Sequence, residues 1–166
     1  MIGFLVALAL ASPQQRADLS KLRTEPGLTV WVWDVDGRID RHPKVAEGQV
    51  PNAYLIASTL DVKDGFESQE GPLRDSFIGR AFGWLNIPVA GTYRFRLTCD
   101  DGATLTLGGR PLLDTELGSD FTDERSVTLE AGDYPVEIPF YEDGGNFRLR
   151  LEWQRPGETG YSTVPN

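Results

Sequence analysis

A chain of 166 residues is long enough for one domain with a real hydrophobic core. Its net charge of -9, from 25 acidic and 16 basic residues, argues against nucleic acid or an anionic membrane surface as partner. One cysteine excludes an internal disulfide, and 18 glycines and 11 prolines among short alternating segments point to an all-β fold, a sandwich or barrel.

The chain opens with an apolar run, residues 1–11, too short to span a bilayer, which takes about 20 residues. Ala9-Leu10-Ala11 before Ser12 fits a small-x-small cleavage site, although the positive residues that usually precede such a run are missing. The segment reads as a signal peptide, residues 12–26 as a polar leader and residues 27–166 as the domain. Export predicts a protein that is secreted, on the cell surface or periplasmic, without membrane insertion after cleavage.

Residues 28–33 begin the domain as a strand, followed by a polar loop carrying Asp34, Asp36 and Asp40. Gly37 comes three positions after Asp34, where a calcium hand needs glycine five after its first acid, so this loop reads as a solvated turn. Residues 52–60 suit a weak strand or short helix, and residues 61–75 a charged connection. Over 76–87 the alternation is imperfect and predicts a strand with a bulge near Gly79 or Gly83. Tyr93, Phe95 and Leu97, then Ala103, Leu105 and Leu107, show the period of two of half-buried strands and predict a hairpin with its tip at Asp100-Asp101. Gly108-Gly109 turns the chain into a short strand at 111–114, an acidic loop follows over 115–125, and 126–129, 134–141 and 147–153 complete the sheets. Trp31, Trp33 and Trp153 are expected in the core or between sheets.

The adjacent acids Asp100 and Asp101 hold the most chemical information. Neighbouring strand residues point to opposite faces, so two consecutive carboxylates serve one ion only if the backbone leaves strand geometry, as a cis peptide would allow. The competing reading is an Asp-Gly turn at Asp101-Gly102. Catalytic signals are scarce. The single histidine, His42, lies beside Pro43 in a loop, and there is no His-Glu-x-x-His motif. Side-by-side acids do not face each other about 5 to 9.5 Å apart across a sugar, as a glycosidase requires, so this domain is not expected to be an enzyme.

Four segments in order resemble a known family: Gly91-Thr92-Tyr93-Arg94-Phe95-Arg96-Leu97-Thr98-Cys99-Asp100-Asp101-Gly102, Leu129-Glu130-Ala131-Gly132-Asp133-Tyr134-Pro135-Val136-Glu137-Ile138, Tyr141-Glu142-Asp143-Gly144-Gly145 and Leu149-Arg150-Leu151-Glu152-Trp153. They are similar to the signatures of the protective-antigen type domain ("PA fourteen"), found in an anthrax toxin component, fungal flocculin and epithelial adhesins and bacterial glycosidases. The resemblance implies an antiparallel β-sandwich, jelly-roll-like, with long loops at one end. It also implies one calcium ion, bound in the lectin members by an acidic pair joined through a cis peptide, which maps onto Asp100 and Asp101. A further side-chain oxygen, usually Asn in the adhesins, falls at Asp143, and backbone carbonyls of the same loop fall near Gly145 and Phe147. Glu142 and Asn146 are the implied sugar contacts, Asn146 being a competing oxygen donor if the loop register shifts. Cys99 stands where the family commonly carries Ser and is expected to be buried.

Calcium suits this set, because it accepts six to eight oxygens in flexible geometry and no Cys-x-x-Cys pair or His cluster offers a zinc site. Three carboxylates and two carbonyls would leave coordination positions for water or a sugar diol. The expected function is therefore a calcium-dependent module binding glycans or polysaccharide. The alternatives are a structural or assembly module, or an accessory domain fused to a larger secreted enzyme.

Overall fold

The computed structural model describes residues 26–39, 45, 48–116, 118 and 121–165. The predicted signal peptide, nearly all of the leader, Asp40 and His42 lie outside these residues. The described residues form strands and no helix, so none is long and apolar enough to cross a membrane. The strands are β1 (Leu28–Asp34), β2 (Ala53–Ala57), β3 (Asp61–Lys63), β4 (Phe66–Ser68), β5 (Gly71–Leu73), β6 (Phe77–Ile87), β7 (Gly91–Asp100), β8 (Gly102–Leu107), β9 (Arg110–Asp114), β10 (Thr122–Leu129), β11 (Gly132–Glu142), β12 (Arg148–Gln154) and β13 (Ser162–Thr163).

Two antiparallel sheets pack as a sandwich, the larger in the order β2-β1-β6-β11-β8-β9 and the smaller in the order β10-β7-β12-β13, with β3 also on β12. Alternation decides what fills the space between them. Val30, Val32, Ala81, Leu85, Ile138 and Phe140 from one sheet meet Tyr93, Phe95, Leu97, Leu149, Leu151 and Trp153 from the other, all nearly or wholly buried. Near one end Phe66, Phe77, Phe140 and Phe147 form an aromatic floor, with the Phe77 and Phe147 rings 4.9 Å apart at 74°. Cys99 is buried, as expected.

The most consequential departure from expectation is at the Asp pair. β7 and β8 are not hairpin partners: β7 pairs with β10 and β12, whereas β8 pairs with β11 and β9. The chain therefore leaves the small sheet at Asp100 and enters the large one at Gly102, making a corner between sheets. Both strands do alternate, but alternation records only which face is apolar and says nothing of the partner strand. Gly102 allows the corner to close, since a Cβ there would stand 2.5 Å from the Tyr141 ring.

Other expectations need smaller corrections. Of the two readings of residues 52–60 the strand holds, as β2, whereas the expected connection 61–75 contains β3 and the β4–β5 hairpin. The last four residues of the 115–125 loop, 122–125, are strand, because β10 starts at Thr122 opposite Thr98. No bulge occurs at Gly79 or Gly83; β6 keeps one register with β11 throughout, and the irregularity lies instead between Leu105 and Thr106. Gly79 breaks the hydrophobic pattern for another reason: the Phe140 ring lies over it. Trp33 and Trp153 are buried, but Trp33 packs with Ile39, Ile78 and Tyr141 on the outer side of the large sheet, and Trp31 beside it is 38 % exposed.

A Cβ at Gly79 would come within 2.1 Å of the Phe140 ring, which is itself held in the aromatic floor. Gly79→Ala is therefore expected to destabilise the fold by about 1–3 kcal/mol, the usual range for overpacking. Gly160→Ala, where a Cβ meets nothing within 4 Å, should stay within about 0.5 kcal/mol of the parent. Urea unfolding of the two variants checks both values.

Candidate functional site

The Asp100–Asp101 peptide bond is cis. Both carboxyl-bearing residues are half-buried at the corner between the sheets. The loop that follows β11 docks directly on them, the Asp143 N–H donating to Asp101 Oδ2 at 2.7 Å and the Asp101 N–H donating to the Tyr141 carbonyl at 3.3 Å. The start of β6 closes a third side: Phe77 pairs with Glu142, Ser76 Oγ donates to the Asp143 carbonyl, and the Gly145 N–H donates to Asp75 Oδ1 at 3.1 Å. Three distant segments thus bring Asp75, Asp100, Asp101, Glu142 and Asp143 to one end of the sandwich.

Glu142 differs most from expectation. A sugar contact should be exposed, yet Glu142 is 0 % exposed. Neither carboxylate oxygen has a hydrogen-bond partner, and the residue makes no ion pair among the described residues. Burial, reinforced by Asp101, Asp100 and Asp75, pushes its carboxyl up to about 7, opposed only by the nearby Gly144 N–H. Burial, then Asp101, raises Asp100 as well. The Cys99 thiol is raised by burial first and then by Glu142, Asp100 and Asp101, so it is held as the neutral thiol. Negative charge is concentrated here faster than the protein neutralises it.

The remaining predicted residues take different places. The Asp143 carboxylate is turned outward, accepting from the Ile39 N–H and lying 3.5 Å from Arg38 Nε. Consistent with this, no three His, Cys, Asp or Glu side chains among the described residues converge on one point as a metal cluster. Gly145 is exposed with φ of 115°, and Asn146 is exposed beside it. The Phe147 side chain is buried in the aromatic floor, and its carbonyl accepts from the Asp64 N–H at 3.1 Å, leaving a second lone pair.

Beside the corner lies a depression of about 500 Å³ lined by Asp101, Asp143, Arg38, Glu116, Phe121 and Tyr141 among others. Tyr141 donates its hydroxyl to Glu116 at 2.7 Å. Phe121 is half exposed with φ of 54°, and its carbonyl accepts from the Cys99 N–H, which ties this ring to the strand that ends in the Asp pair. Asp75 and Arg38 escape sequence reasoning, because each sits in a segment whose only local signal is charge or polarity, whereas Phe121 lies in the 115–125 loop, a candidate for sugar specificity. A non-glycine residue in the left-handed region cannot be read from residue type.

A family model described as "PA14 domain" matches residues 24–166. No curated protein matches the chain. Among solved structures, an anti-sigma factor domain-containing protein from Clostridium clariflavum is 28 % identical with a TM-score of 0.65, over 84 % of this chain and 45 % of its own. This chain thus spans less than half the length of that relative. The PA14 sugar-binding domain from an RTX adhesin matches over 84 % of this chain and 95 % of its own, at 20 % identity and a TM-score of 0.63. The Epithelial Adhesin 6 A domain from Candida glabrata, solved in complex with Galb1-3GlcNAc, matches over 87 % and 86 % at 14 % identity and a TM-score of 0.63. At these identities the last two speak for the fold, and the family model for membership: the chain belongs to the PA14 domain family.

Proposed function

We propose that this chain is a non-catalytic, calcium-dependent carbohydrate-binding module of a secreted or cell-surface protein. The observation that carries the calcium part is the buried Glu142 carboxylate, which has no ion pair among the described residues and only the nearby Gly144 N–H to offset the carboxylates of Asp75, Asp100 and Asp101. Such a group needs either a proton or a cation, and oxygen-only surroundings suit calcium. Asp100 and Asp101 would hold the ion, with Asp143, Gly145 and Phe147 on the loop docked against them; Asp143 would exchange the Ile39 N–H and Arg38 for it. Bound there, calcium would supply open coordination positions for vicinal hydroxyls. Glu142, being buried, would be a charge behind the ion and not a contact to sugar.

The glycan part is supported by the adhesin neighbours, one solved with Galb1-3GlcNAc and one described as a sugar-binding domain, and by the depression beside Asp101, where Phe121 offers an apolar contact and Glu116 and Arg38 offer polar ones. Surface location is supported by the same neighbours. The fused-module reading is favoured by one observation: the anti-sigma factor domain-containing chains are more than twice as long as the part they share with this one.

Calcium at one hundred times its dissociation constant should stabilise the fold by about 2.7 kcal/mol, roughly 5–10 °C in melting temperature. Asp101→Asn should keep the fold, being at a corner and not in the core, and lose most of that shift. Identical midpoints for the parent in millimolar calcium and in chelator would leave the ion site without support.

Glu142→Gln tests the electrostatic premise separately. At pH 8 the calcium-free variant should melt above the calcium-free parent, because one charge is removed from beside Asp75, Asp100 and Asp101, while its gain from calcium should be smaller. A variant with the parent's two midpoints would contradict the premise.

Glycan binding at the acidic corner, read on an array with clustered protein as the part lost in Asp101→Asn, because a shallow single site binds weakly, should require calcium and prefer accessible vicinal hydroxyls. Absence of binding to every glycan would favour a structural module.

A further inference from the structure

On the outer side of the large sheet, away from the acidic corner, the chain exposes aromatic rings that the core does not use. Trp31 on β1 is 38 % exposed, and its cross-strand neighbour Tyr54 on β2 is 76 % exposed. The Trp31 ring is held in place by edge contacts, with Phe82 at 4.9 Å and Trp33 at 6.1 Å. Trp31 and Tyr54 line a groove of about 750 Å³ whose other wall is the β4–β5 hairpin, contributing Glu67, Gln69 and Glu70, with Asn52 at its end. That wall is braced. Ser68 Oγ donates to the Gly71 carbonyl at 2.7 Å and accepts from the Glu70 N–H, and Arg74 pairs with Glu67 at 2.6 Å.

We propose that this groove is a second carbohydrate site, independent of calcium, which takes a pyranose of a neutral polysaccharide with its C–H face on Trp31 and Tyr54. A sugar ring has an apolar face and a rim of hydroxyls, and the groove has an aromatic side and a rim of carboxylates and amides. Carboxylates accept strong charge-assisted hydrogen bonds from hydroxyls. No basic residue among the described residues lines the groove, so an anionic polysaccharide would be repelled by Glu70, whereas the charge of Glu67 is met from behind by Arg74. An apolar protein surface would strip water from the same two carboxylates without donating to them, a cost that interfaces avoid by excluding charge from their centres. The site is distinct from the acidic corner: no residue that lines the groove is among those that line the depression at the corner or form its acidic cluster.

Native affinity electrophoresis in chelator tests this, with xylan and a soluble mixed-linkage β-glucan as neutral probes and polygalacturonate as the anionic one. At least one neutral polymer should retard the parent, and polygalacturonate should not. Tyr54→Ala, at a position too exposed to threaten the fold, should bind about tenfold more weakly. Trp31→Phe, which keeps an aromatic ring among Phe82 and Trp33, should also weaken it. Asp101→Asn should be retarded like the parent, which separates this site from the calcium reading. Unchanged mobility in both neutral polymers, or equal retardation of Tyr54→Ala and parent, would overturn the proposal. So would sedimentation showing a parent dimer that Tyr54→Ala dissociates, since a second copy of the chain would then occupy the groove.

Discussion

A carboxylate closed off from water, with no cation beside it and only a backbone N–H nearby, must acquire a proton or a cation, and at Glu142 this constraint governs one end of the molecule. The residue cannot turn away, because it is the last of β11, paired across to Phe77, whose ring belongs to the aromatic floor. The floor in turn supports Phe147 and the loop that docks Asp143 onto Asp101. Packing therefore fixes the position of the charge, and the corner at Asp100-Asp101 adds two more acids to it. The same apolar core that stabilises the sandwich concentrates negative potential where its sheets meet.

The outer surface of the small sheet handles charge in the opposite way. Arg96 and Arg150 both pair with the nearly buried Glu152, at 2.6 and 2.9 Å, Arg148 pairs with Asp61 at 3.1 Å, and Arg96 stacks over Tyr161 at 4.0 Å. Opposite charges on adjacent strands alternate there, so the face is compensated without outside help. Against this background the acidic corner stands out among the described residues, and that contrast supports the proposed ion site. The net charge of -9 alone would not, since excess acid anywhere on the surface produces the same total.

Much of the fold was legible in the sequence because a sandwich is built from alternation, and β1, β7, β11 and β12 alternate clearly. What alternation leaves open is pairing. The β8–β9 turn was recognisable because Gly108 and Gly109 both adopt positive φ, which tight hairpins require, whereas the corner at Asp101 carried no signal to distinguish it from such a turn. Motif resemblance marked Asp100, Asp101 and Asp143, and the structure brings their segments together. It could not show that the Asp143 carboxylate turns toward Ile39 or that Glu142 is buried, because both depend on segments far away in sequence. Trp31 was misplaced for a related reason: a tryptophan between two valines reads as core, yet Val30 and Val32 face the other sheet and leave Trp31 on the solvent side.

The claim that the acidic corner is a calcium site is most directly tested by anomalous scattering from crystals grown in calcium. The account predicts a single strong peak about 2.3–2.6 Å from carboxylate oxygens of both Asp100 and Asp101, with Asp143 turned in from Arg38. A map without a peak at that corner, with Asp143 still on the Ile39 N–H, would contradict it.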